Sequence, residues 1–521
     1  MTQAAAARPA QAWWVLLTVA LAGFASGLPL ALTGQAMQAW LSLEGIDVAT
    51  IGFLSLVGLP YTFKFLWAPL MDRFEPLPGL LGRRRGWLVI TQLALAGALL
   101  ALSTTAPKTQ TLGFALLAVM VAFLSASQDV VIDAWRTDVL DPAHRGLGAS
   151  LTVLGYRLAM ILSGGVALIW TDPANAGSGG WTWPEVYRFM AMLMLGAAAL
   201  SAFVLPRVEP LQGPRSQAAN DLRGFLAVLV AVALGVWASN RWGAQAAQLL
   251  AGPALASTAL TPALQKKWLD LVALLLGVGL TLPLAAWTAR AARFETLLGG
   301  LRNYFAQPGA AAFLLFIVLY KLGDAFAGSL LTPFLLQGMA YSQAEVGVVN
   351  KLIGLWLTIA GALLGGALML RLGLWRSLLF FGVLQMASNL GFWWLAQAGR
   401  DALPGLVLPA FDWGFVHLAQ PTPVDGGLLM AIAFENITGG MGTAAFVAFL
   451  MNLTSQRFTA TQFALLSAFA SVGRVWVGPL AGVLAETIGW PRFFVVSTLA
   501  AVPALWMLWR LRGPISALDQ R

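Results

Sequence analysis

Apolar runs of about 20 residues, the length a helix needs to cross a bilayer, recur along the chain between short polar turns. They lie near 13–35, 51–72, 87–104, 111–135, 147–170 and 186–205. Two more lie near 222–239 and 268–289. The rest lie near 310–336, 346–370, 374–396, 427–451, 460–486 and 491–510. The pattern predicts an all-α polytopic membrane protein of about fourteen spans, arranged as six, two and six. It divides the chain into a first six-helix bundle at 1–206, a linker with two extra helices at 207–305, and a second bundle at 306–521. The N-terminal apolar run is too long for a cleavable signal, so the first helix is expected to be retained.

Composition agrees. Hydrophobic residues make up 59% and charged residues 10% of 521 residues, with a mean hydropathy of +0.77. Soluble domains carry about 25% charge, so a soluble enzyme, a DNA-binding module and a disordered chain are excluded. Cysteine is absent, which removes disulfides, thiolate metal sites and cysteine nucleophiles. His144 and His417 lie in polar stretches, so no metal site is expected.

The net charge of +9 fits basic loops held on the cytoplasmic side rather than a nucleic-acid partner. With the N-terminus inside, about 19 of the 31 Lys and Arg fall on inner loops, about 7 outside and about 5 within spans. Both termini are then expected in the cytoplasm. The weakest point of this orientation is Lys266 and Lys267, which fall outside.

The two six-helix units share features in the same order. Gly27-Leu28-Pro29 and Gly45 to Gly52 correspond to Ser329 to Pro333 and Tyr341 to Gly347. Both read as a helix, a polar outer turn and a second helix. A buried arginine follows a glycine in each fifth helix, at Arg157 and Arg474. This supports a duplicated unit. After the second helix come Asp72-Arg73 and then Arg83, Arg84 and Arg85. The loop reads either as a positive-inside loop or as a latch that pairs with neighbouring helix ends.

Charge at membrane depth costs about 2.5–3.5 kcal/mol per group and normally faces a cavity or a partner. Asp129 and Asp133 share one face of the fourth span. That arrangement suits a proton-coupling site or an ion pair with Arg136 or Arg157. Asp138 reads as a solvated loop residue or a helix-end charge. Lys321 and Asp324 are three apart in the seventh core span, and Glu435 and Asn436 lie in the tenth. Lys64, Lys351, Arg157 and Arg474 add positive charge suited to an anionic substrate, unless acids and bases simply cancel in pairs. Gln128, Asn350, Tyr61, Tyr156 and Tyr320 are further candidate substrate contacts.

Several runs together resemble a known family: Gly23 to Leu28, Phe63 to Arg73, Gly82 to Leu88, Ala126 to Trp135, Leu319 to Phe326, Glu345 to Lys351, Phe434 to Ala445 and Ala460 to Ser467. They are similar to the AmpG muropeptide permeases of the major facilitator superfamily. The resemblance implies a proton-driven inner-membrane importer, needing no cofactor beyond the proton gradient. Its substrates would be N-acetylglucosamine–1,6-anhydro-N-acetylmuramic acid units with or without stem peptide, imported for peptidoglycan recycling and β-lactamase induction signalling.

On this reading Asp129 and Asp324, then Glu435 and Asp133, carry protons, and the chain works as a monomer by alternating access. The rivals are a carrier of the same fold for another sugar-like or drug-like solute, and a membrane enzyme acting on lipid-linked sugars. The linker pair and the proline-bearing outer insertion at 397–425 lie outside the matched runs.

Overall fold

The computed structural model describes residues 9–68, 71, 74–77, 79–140, 145–172, 180–207, 218–294, 298, 302, 305–306, 309–412, 417–418, 420–453 and 459–518. Each of the fourteen apolar runs is helical over these residues. Counting six core spans per half and leaving the linker pair out, the first half holds Trp13–Leu43, 48–66, Arg83–Ser103, Thr111–Val139, 145–170 and Trp183–Phe203. The second half holds Ala310–Gly338, Gln343–Met369, Leu374–Ala398, Gly426–Leu453, Thr459–Ile488 and Trp490–Arg510. The linker helices are Ala218–Ala256 and Pro262–Ala291.

The internal repeat is visible in the backbone. The first span breaks after Leu32 and resumes at Gln35, and the seventh breaks after Gly328 and resumes at Leu331. Each is followed by a side-chain-capped helix start, which satisfies a backbone N–H that has no helical partner. Asp47 Oδ1 accepts from the Thr50 amide at 2.9 Å, and Ser342 Oγ accepts from the Glu345 amide at 3.1 Å. The second and eighth spans are both irregular, with tightened 3-10 turns at Ser55–Gly58 and Lys64–Leu66 in one and a widened π turn at Gly347–Ile353 in the other. Such departures from α geometry often mark functional positions, and here they carry Lys64 and Asn350.

Within the first half the first span packs on the fifth and the third on the sixth. Within the second the eighth packs on the tenth and the ninth on the twelfth. Close backbone approach replaces the hydrophobic drive that is missing in lipid. A Cβ at Gly155 would collide with the Ala20 carbonyl, and one at Gly361 with that of Ile437.

The cores show how the halves meet. One buried cluster combines Leu28, Trp40 and Ile51 of the first half with Phe326, Phe334, Val349 and Ala481 of the second. It lies at the end the charge bias places outside. Toward the inner end each half has its own cluster, around Trp67, Leu88 and Trp135 in one and Phe316, Phe381 and Phe449 in the other.

Two expectations need correction. The first span does not end near 35 but continues to Leu43, because Gln35 to Leu43 forms a second helical segment after a two-residue break. The first linker helix does not end near 239: it runs 39 residues through Arg241 to Ala256. The Ala, Gln and Leu residues beyond Arg241 are good helix formers. At about 1.5 Å per residue it far exceeds the ~30 Å hydrocarbon core. The outer insertion contains two short strand pairings. Leu406–Leu408 pairs antiparallel with Thr422–Val424, and Phe411–Asp412 with His417–Leu418. Leu418 is buried against Val166, Ile169, Ala344 and Val348.

Candidate functional site

The first half builds its polar cluster on the first, second and fourth spans. Asp129 stands half-buried where the fourth span faces the first, and Ser26 Oγ donates to its Oδ1 at 2.5 Å. Lys64, Asp133 and Tyr61 are within electrostatic reach of Asp129, and Tyr156 within reach of Tyr61. Gln128 is fully buried, and its Nε2 donates to the Ala25 carbonyl at 2.7 Å, fixing the rotation of the fourth span against the first. Asp129, Lys64, Tyr61 and Tyr156 therefore come together, with Gln128 as their scaffold. Sequence reasoning missed Ser26. The available signal was a hydroxyl in an apolar helix, within the Gly23 to Leu28 run.

Asp133 stands apart in role. It pairs with Arg136 at 3.3 Å and its side chain is 56% exposed, so it forms a helix-surface ion pair. Asp138 is not a solvated loop residue. It lies in the last turn of the fourth span and pairs with Arg84 at 3.0 Å, with only 13% and 10% of the two side chains exposed. Arg85 donates to the Ser201 carbonyl at 3.1 Å and also to that of Ala202. Arg84 and Arg85 thus tie the start of the third span to the ends of the fourth and sixth. Asp72 and Arg73 lie outside the described residues.

In the second half Lys321 and Asp324 pair at 3.6 Å across one helical turn. Lys321 Nζ also reaches Thr443 Oγ1 at 3.5 Å and stands 5.3 Å from the centre of the Phe446 ring. Asp324 lines a cleft with Gln385, Asn389 and Ala501, inside the second half and between the seventh, ninth and twelfth spans. Tyr320 is structural: its hydroxyl donates to the Leu378 carbonyl at 3.1 Å and its ring stacks on Phe446. Asn436 donates to Glu435 Oε2 and to the Ile432 carbonyl, both at 2.9 Å, and accepts from Thr358 at 2.8 Å. Asn350 is buried, and its Nδ2 has no hydrogen-bond partner among the described residues. Arg157 is half-buried. The side chains of Lys351 and Arg474 lie outside the described residues.

The arrangement is one acid–base cluster per half, each at membrane depth and each carried by helices that the repeat relates. Such an arrangement can bind charge. The sequence profile of the Major Facilitator Superfamily matches residues 15–424. The chain belongs to the Major Facilitator Superfamily.

Relatives in the superfamily narrow the comparison. The chain is 42% identical to the anhydromuropeptide permease of Escherichia coli (strain K12) over 486 residues, 93% of this chain and 77% of that protein. It is 25% identical to the putative transporter AmpG 4 of Rickettsia conorii over 502 residues, 96% and 97% of the two chains. Among solved structures it superposes on the POT family transporter PepTSo with a TM-score of 0.59 at 14% identity, covering 97% and 99% of the two chains. At that identity the match speaks for the fold alone. The protein is a multi-pass membrane transporter, not an enzyme.

Proposed function

We propose that the protein imports anhydromuropeptides from the periplasm to the cytoplasm, driven by protons. The observation that carries the reading is the 42% identity to a permease of that name over 93% of the chain. The site chemistry supports it. Muropeptides are carboxylates on a sugar scaffold, and Lys64 and Lys321 place cations at membrane depth in both halves, where charge is costly and is kept for function. Asp129 and Asp324 are the proposed proton carriers. Asp129 accepts a hydrogen bond from a neutral hydroxyl at 2.5 Å with Lys64 within electrostatic reach, whereas Asp324 is paired directly with Lys321.

The transport cycle is alternating access. A shared core at the outer end and separate cores at the inner end are what a carrier closed outside would have. The proposed setting is the bacterial inner membrane, with both termini cytoplasmic and the chain acting as a monomer without nucleic acid. The imported material would feed peptidoglycan recycling and β-lactamase induction. Uptake of labelled anhydromuropeptide into inverted and right-side-out vesicles, with and without a proton gradient, tests direction, substrate and coupling together. Uptake of an unrelated sugar or drug with no competition by anhydromuropeptide would replace the substrate reading.

A further inference from the structure

The linker pair has no part in the site just described, yet its second helix reaches both halves. Lys267 stands in the first turns of Pro262–Ala291. Its Nζ lies 2.8 Å from Asp47 Oδ1 and 2.5 Å from Glu486 Oε2. Asp47 caps the second span of the first half, and Glu486 ends the eleventh span of the second half. Glu486 also accepts from the Ala49 amide through its other oxygen at 2.7 Å. Next in sequence, Trp268 Nε1 donates to Thr487 Oγ1 at 3.0 Å.

Three parts of the chain, more than 200 residues apart in sequence, therefore converge on one ammonium. They do so at the end where the halves share a core. There the second and eleventh spans are in backbone contact, since a Cβ at Gly482 would stand 2.9 Å from the Ala49 backbone. Without Lys267 the Asp47 and Glu486 carboxylates face one another at that seam uncompensated, and like charges so placed push apart. The contact thus includes a residue supplied by neither six-helix unit.

We propose that the second linker helix is the outer latch of the transporter, with Lys267 holding the second and eleventh spans together in the outward-closed state and releasing one of them when that end opens. A latch can shift the equilibrium only by what it binds in one state and not in the other. This one qualifies because its two acids sit on opposite halves. The inference rests on the alternating-access reading above and is independent of which solute is carried. It also gives a reason for Lys267 to lie outside against the inward bias of the other bases.

The absence of native cysteine makes the test direct. Spin labels at Glu44→Cys and Arg492→Cys, both exposed outer positions on opposite halves, report the outer separation in detergent or nanodiscs without substrate. The wild-type background and Lys267→Arg are expected to give one short distance as the major population. Lys267→Glu, which places a third acid at the seam, is expected to make a longer distance the major population, and Lys267→Gln to give a mixture. An unchanged distribution in Lys267→Glu overturns the proposal. Should that variant not fold, an unchanged distribution in Lys267→Gln overturns it equally. Because no substrate is present, failure of the muropeptide reading would show in uptake and leave these distances as they are.

Discussion

Ser26 Oγ donates to Asp129 Oδ1 at 2.5 Å, joining the first and fourth spans of the first half through the carboxylate proposed to carry the proton. A hydrogen bond to a charged group is worth about 1.5–3 kcal/mol, and this one must reorganise when Asp129 takes up a proton. Asp129→Asn is expected to abolish proton-driven uptake at normal expression. Ser26→Ala is expected to slow uptake by roughly ten-fold or more, since each 1.4 kcal/mol is a factor of ten, and Ser26→Thr to retain most of it. Initial rates in vesicles under a fixed proton gradient measure all three. Full uptake by Asp129→Asn would remove that residue from the coupling role.

Arg84 and Asp138 form a pair largely shielded from solvent. Removing one partner of such a pair leaves the other uncompensated, at a cost of about 3–5 kcal/mol. Arg84→Ala and Asp138→Ala are each expected to lower the thermal transition of the purified protein, and the double variant to lose less than the sum of the two. The exchange Arg84→Asp with Asp138→Arg is expected to recover part of the loss. Strict additivity would show that the pair does not tie the third span to the fourth.

Two glycines in apolar helices have opposite surroundings. Gly155 lies against the Ala20 backbone, whereas nothing stands within 4 Å of a Cβ at Gly366. Gly155→Val is expected to reduce the yield of monodisperse protein severely, because two helix backbones must separate. Gly366→Ala is expected to match wild type. Size-exclusion profiles of the two variants give the comparison.

Asp47 has a defined pH signature. Burial opposes its ionisation, but hydrogen bonds from Lys267 and from Thr50 outweigh this and hold its carboxyl down to about 2, from an ordinary value of 3.8. A carboxyl lowered on folding contributes stability that is complete above its unfolded value and fades as pH falls through the folded one. The stability difference between wild type and Asp47→Asn is therefore expected to stay level from pH 8 to 5 and to shrink below about pH 4. Thermal unfolding across that range checks it. A difference that shrank between pH 7 and 5 would contradict the pairing with Lys267.

The span plan was legible because a bilayer imposes one length on every helix that crosses it. The repeat was legible because glycine, proline and cap positions recur in order, and Asp47 and Ser342 do cap the matching helices. The cluster around Asp129 was legible in part, because charge at membrane depth is rare enough to stand out. Ser26 was not, since a serine in an apolar helix carries little cost and so little signal. The partners of Lys267, Asp47 and Glu486, were hidden for another reason. Each reads as a charge at a water-exposed helix end, and only tertiary folding shows that one cation serves both. The strand pairs of the outer insertion consist of strands of two and three residues, too short to establish a period-two pattern.

The proposed activity of this transporter is import of anhydromuropeptides on the proton gradient. It is tested most directly by uptake of radiolabelled N-acetylglucosamine–1,6-anhydro-N-acetylmuramic acid into right-side-out vesicles carrying the protein. Accumulation above the external concentration with an inward proton gradient, falling to equilibration when an uncoupler collapses it, is the predicted result. Absence of specific uptake in both conditions, from vesicles with correctly inserted protein, would contradict it.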